Sequence, residues 1–247
     1  MTLPAGIVGY GTTAGAAIVH GVHGAAGVTH WKAFAGRRQL ASPTEAVEWA
    51  SIPPHGLSGE HRHTRTEEIY LILDGEGEFL YNGTAHPVRP GFLALTAIGN
   101  IHGLRNTGDT HLNWWVIETL APTTDAVLTG TASRTPGVTS MRPPALHDLF
   151  KERTVTTDGV FTGPLRSIEV MDLEAGEHRT LGRSDAELAV FVHDGHGTAR
   201  TDGATADLTA NTCLTLSAGT ATLFEPTTRL RLLVVTLVLP GEGGTLQ

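Results

Sequence analysis

The stretch GEHRHTRTEEIYLILDGEG, residues 59–77, and its continuation GFLALTAIGNIHGLRN, residues 91–106, decide how this chain is read. His61 and His63 are separated by one residue, Glu68 follows after four more, and Gly75 after a further six. In the second segment Gly91, Gly99, His102 and Asn106 stand at equally definite intervals. Side chains alternate faces along a strand, so His61 and His63 share one face. The polar run Thr64–Thr66 marks a bend. Beyond it Glu68, Tyr70 and Ile72 point one way, and Ile69, Leu71 and Leu73 the other. Both sets are mostly apolar, as expected for a strand buried on both faces.

Histidines and a glutamate turned into an apolar interior are costly unless they are paired or bind a metal. Imidazole suits Zn, Cu, Fe and Ni, and a carboxylate adds oxygen character that also admits Mn. Three His and one Glu leave one or two coordination positions open, the arrangement of a catalytic rather than a structural site.

At these residues the chain resembles the cupin superfamily. His61, His63, Glu68 and His102 fall on the four metal-ligand positions of its two motifs, and Gly75, Gly91, Gly99 and Asn106 on its turn positions. Two departures stand out. Ala97 replaces the usual proline of the second motif, and Gly56 lies one residue too close to His61 to be the usual first-motif glycine. Neither is a ligand, so loop shape is affected and the donor set is not. Glu67 is the alternative carboxylate, but the distance from Glu68 to Gly75 fits better. The resemblance implies an all-β fold of antiparallel double-stranded β-helix barrels and one divalent transition metal per chain.

The rest of the chain repeats the design. Gly75, Gly77, Gly83 and Gly99 recur as Gly195, Gly197, Gly203 and Gly219, a constant offset of 120 residues. A fixed offset across several turns implies the same strand order twice. It carries the candidate ligands onto Leu181, Arg183, Leu188 and Thr222, none of which can rebuild the set, so the second barrel is expected to be metal-free. His178 and Glu187 lie near these positions without completing a site. The expected organisation is an N-terminal barrel over residues 1–122, a linker with a short helix over 123–150 and a degenerate barrel over 151–247. Leu112–Leu120 reads as the closing strand of the first barrel, with either Trp114 or Trp115 facing inward. The apolar run Leu230–Leu239 closes the second and packs against the other barrel or a second subunit. The linker is punctuated by prolines, including Pro136, and holds a helical stretch around Ala145–Lys151. The N-terminal thirty residues, rich in Gly, Ala and Thr, read as an added strand or a cover; His20 and His23 in HGVHG lack a carboxylate partner.

Composition narrows the function. A formal net charge of −8 argues against nucleic acid or an anionic membrane surface as partner. Cys213, the single cysteine, excludes an intrachain disulfide and a cysteine-based zinc site. Without a basic leader or an 18-residue apolar run, the expectation is a soluble cytoplasmic protein. A homodimer is implied by the resemblance alone.

Three functions fit. The leading one is an Fe(II)-dependent oxygenase whose small, moderately hydrophobic substrate and O2 take the open metal positions. The second is a non-redox isomerase, cyclase or lyase using Zn, Ni, Co or Mn as Lewis acid. The third is a non-catalytic small-molecule-binding protein. Candidate acid–base or hydrogen-bonding residues are Tyr70, His55 and Glu60. Tyr70, Ile72 and Leu104, with Phe79 and Tyr81, are expected to line the pocket, an apolar set that disfavours a highly charged substrate. Arg105 is expected to point outward, while Arg65, in a turn, can reach a carboxylate.

Overall fold

The protein is described by a computed structural model over residues 6–133 and 141–240. The expected linker break at Pro136 and the outer ends of both expected domains lie outside the described residues.

Strands form where apolar alternation and β-branched residues place them, and turns where glycine recurs. In the first half these are β1 (Ile7–Thr12), β2 (Ala17–His20), β3 (Val28–Gly36), β4 (Thr44–Ile52), β5 (Leu57–Arg62) and β6 (Thr66–Asp74). They continue as β7 (Gly77–Tyr81), β8 (Thr84–Val88), β9 (Phe92–Thr96), β10 (Ile101–Asn106) and β11 (Leu112–Leu120). A connecting region holds α1 (Pro122–Leu128), β12 (Ala145–Asp148), α2 (Leu149–Glu152) and β13 (Thr154–Thr156). The second half runs β14 (Leu165–Leu173), β15 (Arg179–Leu181), β16 (Ala186–Asp194) and β17 (His196–Thr201). It ends with β18 (Ala204–Thr209), β19 (Thr212–Leu216), β20 (Thr222–Pro226) and β21 (Leu230–Val238).

Each half builds one barrel from a large and a small antiparallel sheet. The first has the orders β12-β9-β6-β11-β4-β3-β2 and β5-β10-β7-β8. The second has β1-β19-β16-β21-β14-β13 and β15-β20-β17-β18. The repeat expected from the glycines is therefore real in strand order. At Gly75 (φ 88°) and Gly195 (φ 93°) the backbone is left-handed, and a Cβ would meet the carbonyl oxygens of His111 and Arg229 at 2.5 and 2.0 Å. Only glycine fits such turns.

Two strands lie on the other side of the boundary expected at residue 122. β1, assigned to the N-terminal barrel, pairs with β19 of the second, with Tyr10 opposite Leu214. β12, expected to be helical linker, pairs with β9 of the first, with Leu146 opposite Ala94. The helix expected around Ala145–Lys151 is confined to α2. The reason is reciprocal: β9 and β19 are equivalent strands that would otherwise leave open edges, and each is covered by a segment from beyond its own barrel.

The two large sheets face one another. Ile69, Leu71, Trp115 and Ile117 of the first meet Phe191, Leu233 and Val235 of the second in one shared core. Trp115 and Phe191 stand 5.5 Å apart between ring centroids. The closing strand β21 thus uses Leu233, Val235 and Leu237 against the other barrel and Leu232 and Val234 inside its own. Along β6 and β11 the opposite faces, with Tyr70, Ile72 and Trp114, fill the interior of the first barrel. Register therefore settles the tryptophans: Trp114 points into the first barrel and Trp115 into the seam. Among the described residues no helix is long and apolar enough to cross a membrane.

Candidate metal centre

The interior face of the first barrel carries the cluster. β10 pairs with β5 so that His102 lies opposite His61. His63 follows β5 directly, and its backbone N–H donates to the Asn100 carbonyl at 2.9 Å. Glu68 comes from β6, where it faces Glu118 of β11 in register. The four side chains thus come from separate strands and loops, and their donor atoms all lie within 4.8 Å of one another. Among the described residues this is the one group of its kind.

The details suit a cation. His63 Nε2 and His102 Nε2 approach to 3.1 Å. Glu68 Oε2 stands 3.0 Å from the first and 2.9 Å from the second. The other ring nitrogens are engaged: His61 Nδ1 with the Gly59 carbonyl at 3.2 Å, His63 Nδ1 with the Thr66 carbonyl at 3.2 Å, and His102 Nδ1 with the Thr96 hydroxyl at 2.9 Å. With Nδ1 as the protonated position, the Nε2 lone pairs of His63 and His102 converge on one point. Glu68 Oε2, fully buried, then has no donor. A buried carboxylate oxygen and imidazole lone pairs crowded together without protons are what a divalent cation resolves. The residues fit a metal.

Electrostatics agrees at Glu68, His61 and His102, and His63 departs from it in the absence of an ion. Burial works against charge on Glu68, yet the imidazoles of His63 and His102 hold its carboxyl well below the usual range. Burial pushes His102 down to about 4 and lowers His61. His63 is raised, because Glu68 outweighs its burial. Metal ligation asks for neutral imidazoles and an ionised carboxylate.

Of the expected acid–base candidates only Tyr70 reaches the cluster. Its ring stacks on His102 at 4.5 Å, and burial together with Glu68 holds its phenol proton firmly. His55 does not: it sits in an exposed turn at φ 61°, 3.4 Å from Asp109. Glu60 does not either, since alternation along β5 turns it to the outer, exposed face opposite His61. Both are corrected on geometry. The alternative carboxylate Glu67 faces the seam, where Thr162 and Gly163 donate to it. Arg65 reaches Glu45 at 3.4 Å, and Arg105 points outward to Glu78 at 3.0 Å.

Three residues beyond the expected set belong here. His23, on a 3-10 turn (Val22–Gly24), stacks on His61 at 3.5 Å and 13°. Gly59 makes this possible, because a Cβ there would lie 2.3 Å from the His23 carbonyl oxygen. His23 itself holds φ at 51°, uncommon for a residue with a Cβ. Glu48 and Glu118 project from β4 and β11 into the same interior. Burial raises Glu48, and burial with the neighbouring Glu68 raises Glu118 to about 9. The signal of Glu118 was a lone charge in an otherwise apolar strand, that of Glu48 a charge between Val47 and Trp49, and that of His23 was HGVHG. Beside the cluster a cavity of about 370 Å³ is bounded by His23, Trp31, Glu48, Tyr70, Trp114 and Glu118.

In the second barrel the equivalent positions hold no donors. Leu188 and Thr222 are buried, and Arg183 pairs with Asp185 at 2.8 Å on the surface.

Two antiparallel barrels of one design, one with a four-donor centre, give the chain a two-barrel, cupin-like fold. Residues 48–118 match the cupin domain family. Over 66 residues the chain is 39% identical to an oxalate-binding protein of Thermotoga maritima, a match covering 27% of this chain and 54% of that protein. The match thus spans about half the length of that curated relative. A crystal structure of a salicylate 1,2-dioxygenase variant from Pseudoaminobacter salicylatoxidans in complex with gentisate is similar in fold, with a TM-score of 0.63 and 17% identity, covering 83% of this chain and 73% of that one. A second structure of that enzyme, with gentisate adducts, gives 0.63 and 16%, covering 83% and 72%.

Proposed function

We propose that the first barrel is a metal-dependent catalytic centre, an Fe(II)-dependent oxygenase acting on a small, moderately hydrophobic molecule held in the adjoining cavity. The observation that carries this reading is the unpartnered Glu68 Oε2 among converging imidazole nitrogens, beside a cavity with aromatic walls. His61, His63, Glu68 and His102 would hold the ion, which when bound offers open positions for substrate and dioxygen. Trp114, Tyr70 and Val116 exclude water from one side. Tyr70 lines the cavity and keeps its phenol proton, and in this reading it would donate a hydrogen bond to the bound molecule. The fold likeness to a dioxygenase is compatible with this reading.

A second reading, Lewis-acid isomerisation, cyclisation or elimination with Zn, Ni, Co or Mn, draws on Glu118. A buried carboxyl that keeps its proton near neutral pH is a ready acid. Elemental analysis of protein purified without added metal, followed by oxygen uptake on the Fe(II)-loaded form with a panel of small aromatic and aliphatic compounds, separates the two. Iron with compound-dependent oxygen consumption is expected. Zinc, nickel, cobalt or manganese without oxygen consumption selects the second reading, and turnover of no compound with tight binding of one would favour a binding protein.

A further inference from the structure

The cavity beside the metal cluster carries an unusual balance of charge for a site able to hold a small organic molecule. Its walls include the carboxyl groups of Glu48, Glu68 and Glu118, and among the described residues no Lys or Arg side chain lines it. The arginines nearest in sequence are committed elsewhere. Arg62 donates to the Gly99 carbonyl at 2.6 Å, Arg65 faces Glu45 and Arg105 faces Glu78. If Glu68 serves the ion, Glu48 remains without a cationic counterpart among the residues that line the cavity.

The other walls are aromatic. Trp114 and Tyr70 form the inner side, their ring centroids 5.7 Å apart. Trp31 also lines the cavity, 36% exposed, on the strand next to that of Glu48. Ser58 supplies an independent observation. It is only 1% exposed, it lines the cavity, and its hydroxyl oxygen has no hydrogen-bond partner among the described residues. A hydroxyl oxygen and a carboxyl group lining one cavity with aromatic walls are groups that accept hydrogen bonds from a cationic nitrogen, whose charge the ring faces also attract.

We propose that the cavity selects an organic ammonium on an aromatic or aliphatic body, with Glu48 and Ser58 receiving the nitrogen, and discriminates against a carboxylate at that end. The proposal deepens the reading of the cavity as the substrate pocket and rests on it. It also separates this chain from a simple transfer of the anionic gentisate seen in the structural neighbour. In the loaded protein a carboxylate is free to seek the ion, so the preference of the walls is read most directly in metal-free protein.

The test uses three probes of nearly equal size: phenethylamine, hydrocinnamate and the neutral hydrocinnamamide. Their binding is measured by calorimetry to chelator-treated and to metal-loaded full-length protein, near pH 8, about 1.5 units above the ordinary imidazole value. In metal-free protein phenethylamine is expected to bind at least about tenfold tighter than hydrocinnamate, with the amide between them. Glu48→Gln is expected to reduce that ratio by at least about fivefold. Equal or tighter binding of hydrocinnamate overturns the proposal, as does failure of phenethylamine to bind or an unchanged ratio in a folded Glu48→Gln. If Glu48→Gln does not fold, phenethylamine against the neutral hydrocinnamamide on metal-loaded protein, where Glu68 is committed to the ion, decides in its place: equal binding of the two overturns the proposal. Metal content, determined on the same preparations, keeps the two readings apart. Ammonium preference in a protein that never holds metal would sink the oxygenase and keep this proposal; stoichiometric metal with carboxylate preference would do the reverse.

Discussion

Glu67 and Glu187 stand at equivalent positions in the two barrels, and each reaches across the seam to backbone amides leading into the other. Glu67 accepts from Thr162 N at 2.8 Å, Thr162 Oγ1 at 2.9 Å and Gly163 N at 2.7 Å. Glu187 accepts from Ala41 N at 2.8 Å, Ser42 N at 2.8 Å and Ser42 Oγ at 2.6 Å. Both carboxylates are buried. Each satisfies donors that no strand ladder reaches, and the pair fixes the orientation of one barrel on the other.

Removing either carboxylate strands these donors in the seam. Glu67→Ala and Glu187→Ala are each expected to destabilise the protein by about 2–4 kcal/mol, because hydrogen bonds to a charged acceptor are lost and buried donors are left unpaired. Urea unfolding of both variants measures this. A loss below about 0.5 kcal/mol in either would show that the clamp contributes no more than a surface contact.

His63→Ala and His102→Ala are expected to abolish stoichiometric metal, since each removes a donor that converges on Glu68 Oε2. In the parent protein, metal occupancy should fall as pH drops through the imidazole range, near 6.5 for an unperturbed ring, because protons and the ion compete for the same lone pairs. Elemental analysis across a pH series follows both effects. Full retention of metal by either variant would point to a different donor set.

In metal-free protein Glu118 links stability to pH. Its carboxyl is raised from 4.5 to about 9. The folded state therefore binds a proton that the unfolded state has released between those values, so this contribution is complete below about 4.5 and is lost as pH rises toward about 9. Glu118→Gln should flatten that decline, making the variant more stable relative to its parent at pH 8 than at pH 5 by on the order of 1–2 kcal/mol. Thermal unfolding at the two pH values reads the difference. A parallel pH dependence in both proteins would mean that Glu118 ionises normally.

His23→Ala should leave metal content unchanged while weakening phenethylamine binding roughly threefold to tenfold, because the ring covers His61 and borders the cavity without belonging to the donor set. Loss of the metal in this variant would instead make His23 part of the coordination.

The two adjacent tryptophans should separate packing from binding. Trp114→Ala and Trp115→Ala each remove a large buried ring, and each is expected to cost about 3–5 kcal/mol. Only Trp114→Ala should also weaken ligand binding, since Trp115 lies in the seam against Phe191. Calorimetric titration at a temperature where both variants remain folded distinguishes them.

The sequence by itself determined the repeat and the spacing of the candidate donors. Strand alternation is a local property, so Glu68, Tyr70 and Ile72 had to share a face and His61 and His63 another common direction. The glycines at Gly75 and Gly195 sit in left-handed turns that few other residues tolerate, which made the duplication visible. What only the tertiary structure decided depends on contacts distant along the chain. The pairing of β1 with β19 and of β12 with β9 is set by which edges remain open after the barrels close. The inward turn of Trp114 follows from the register of β11 against β4 and β6. His23 came over His61 because Gly59 leaves room for the turn above it, and Glu48 and Glu118 met Glu68 because three neighbouring strands present them to one interior. Spacing constrains what lies a few residues away; closure of a barrel determines what faces it from the rest of the chain.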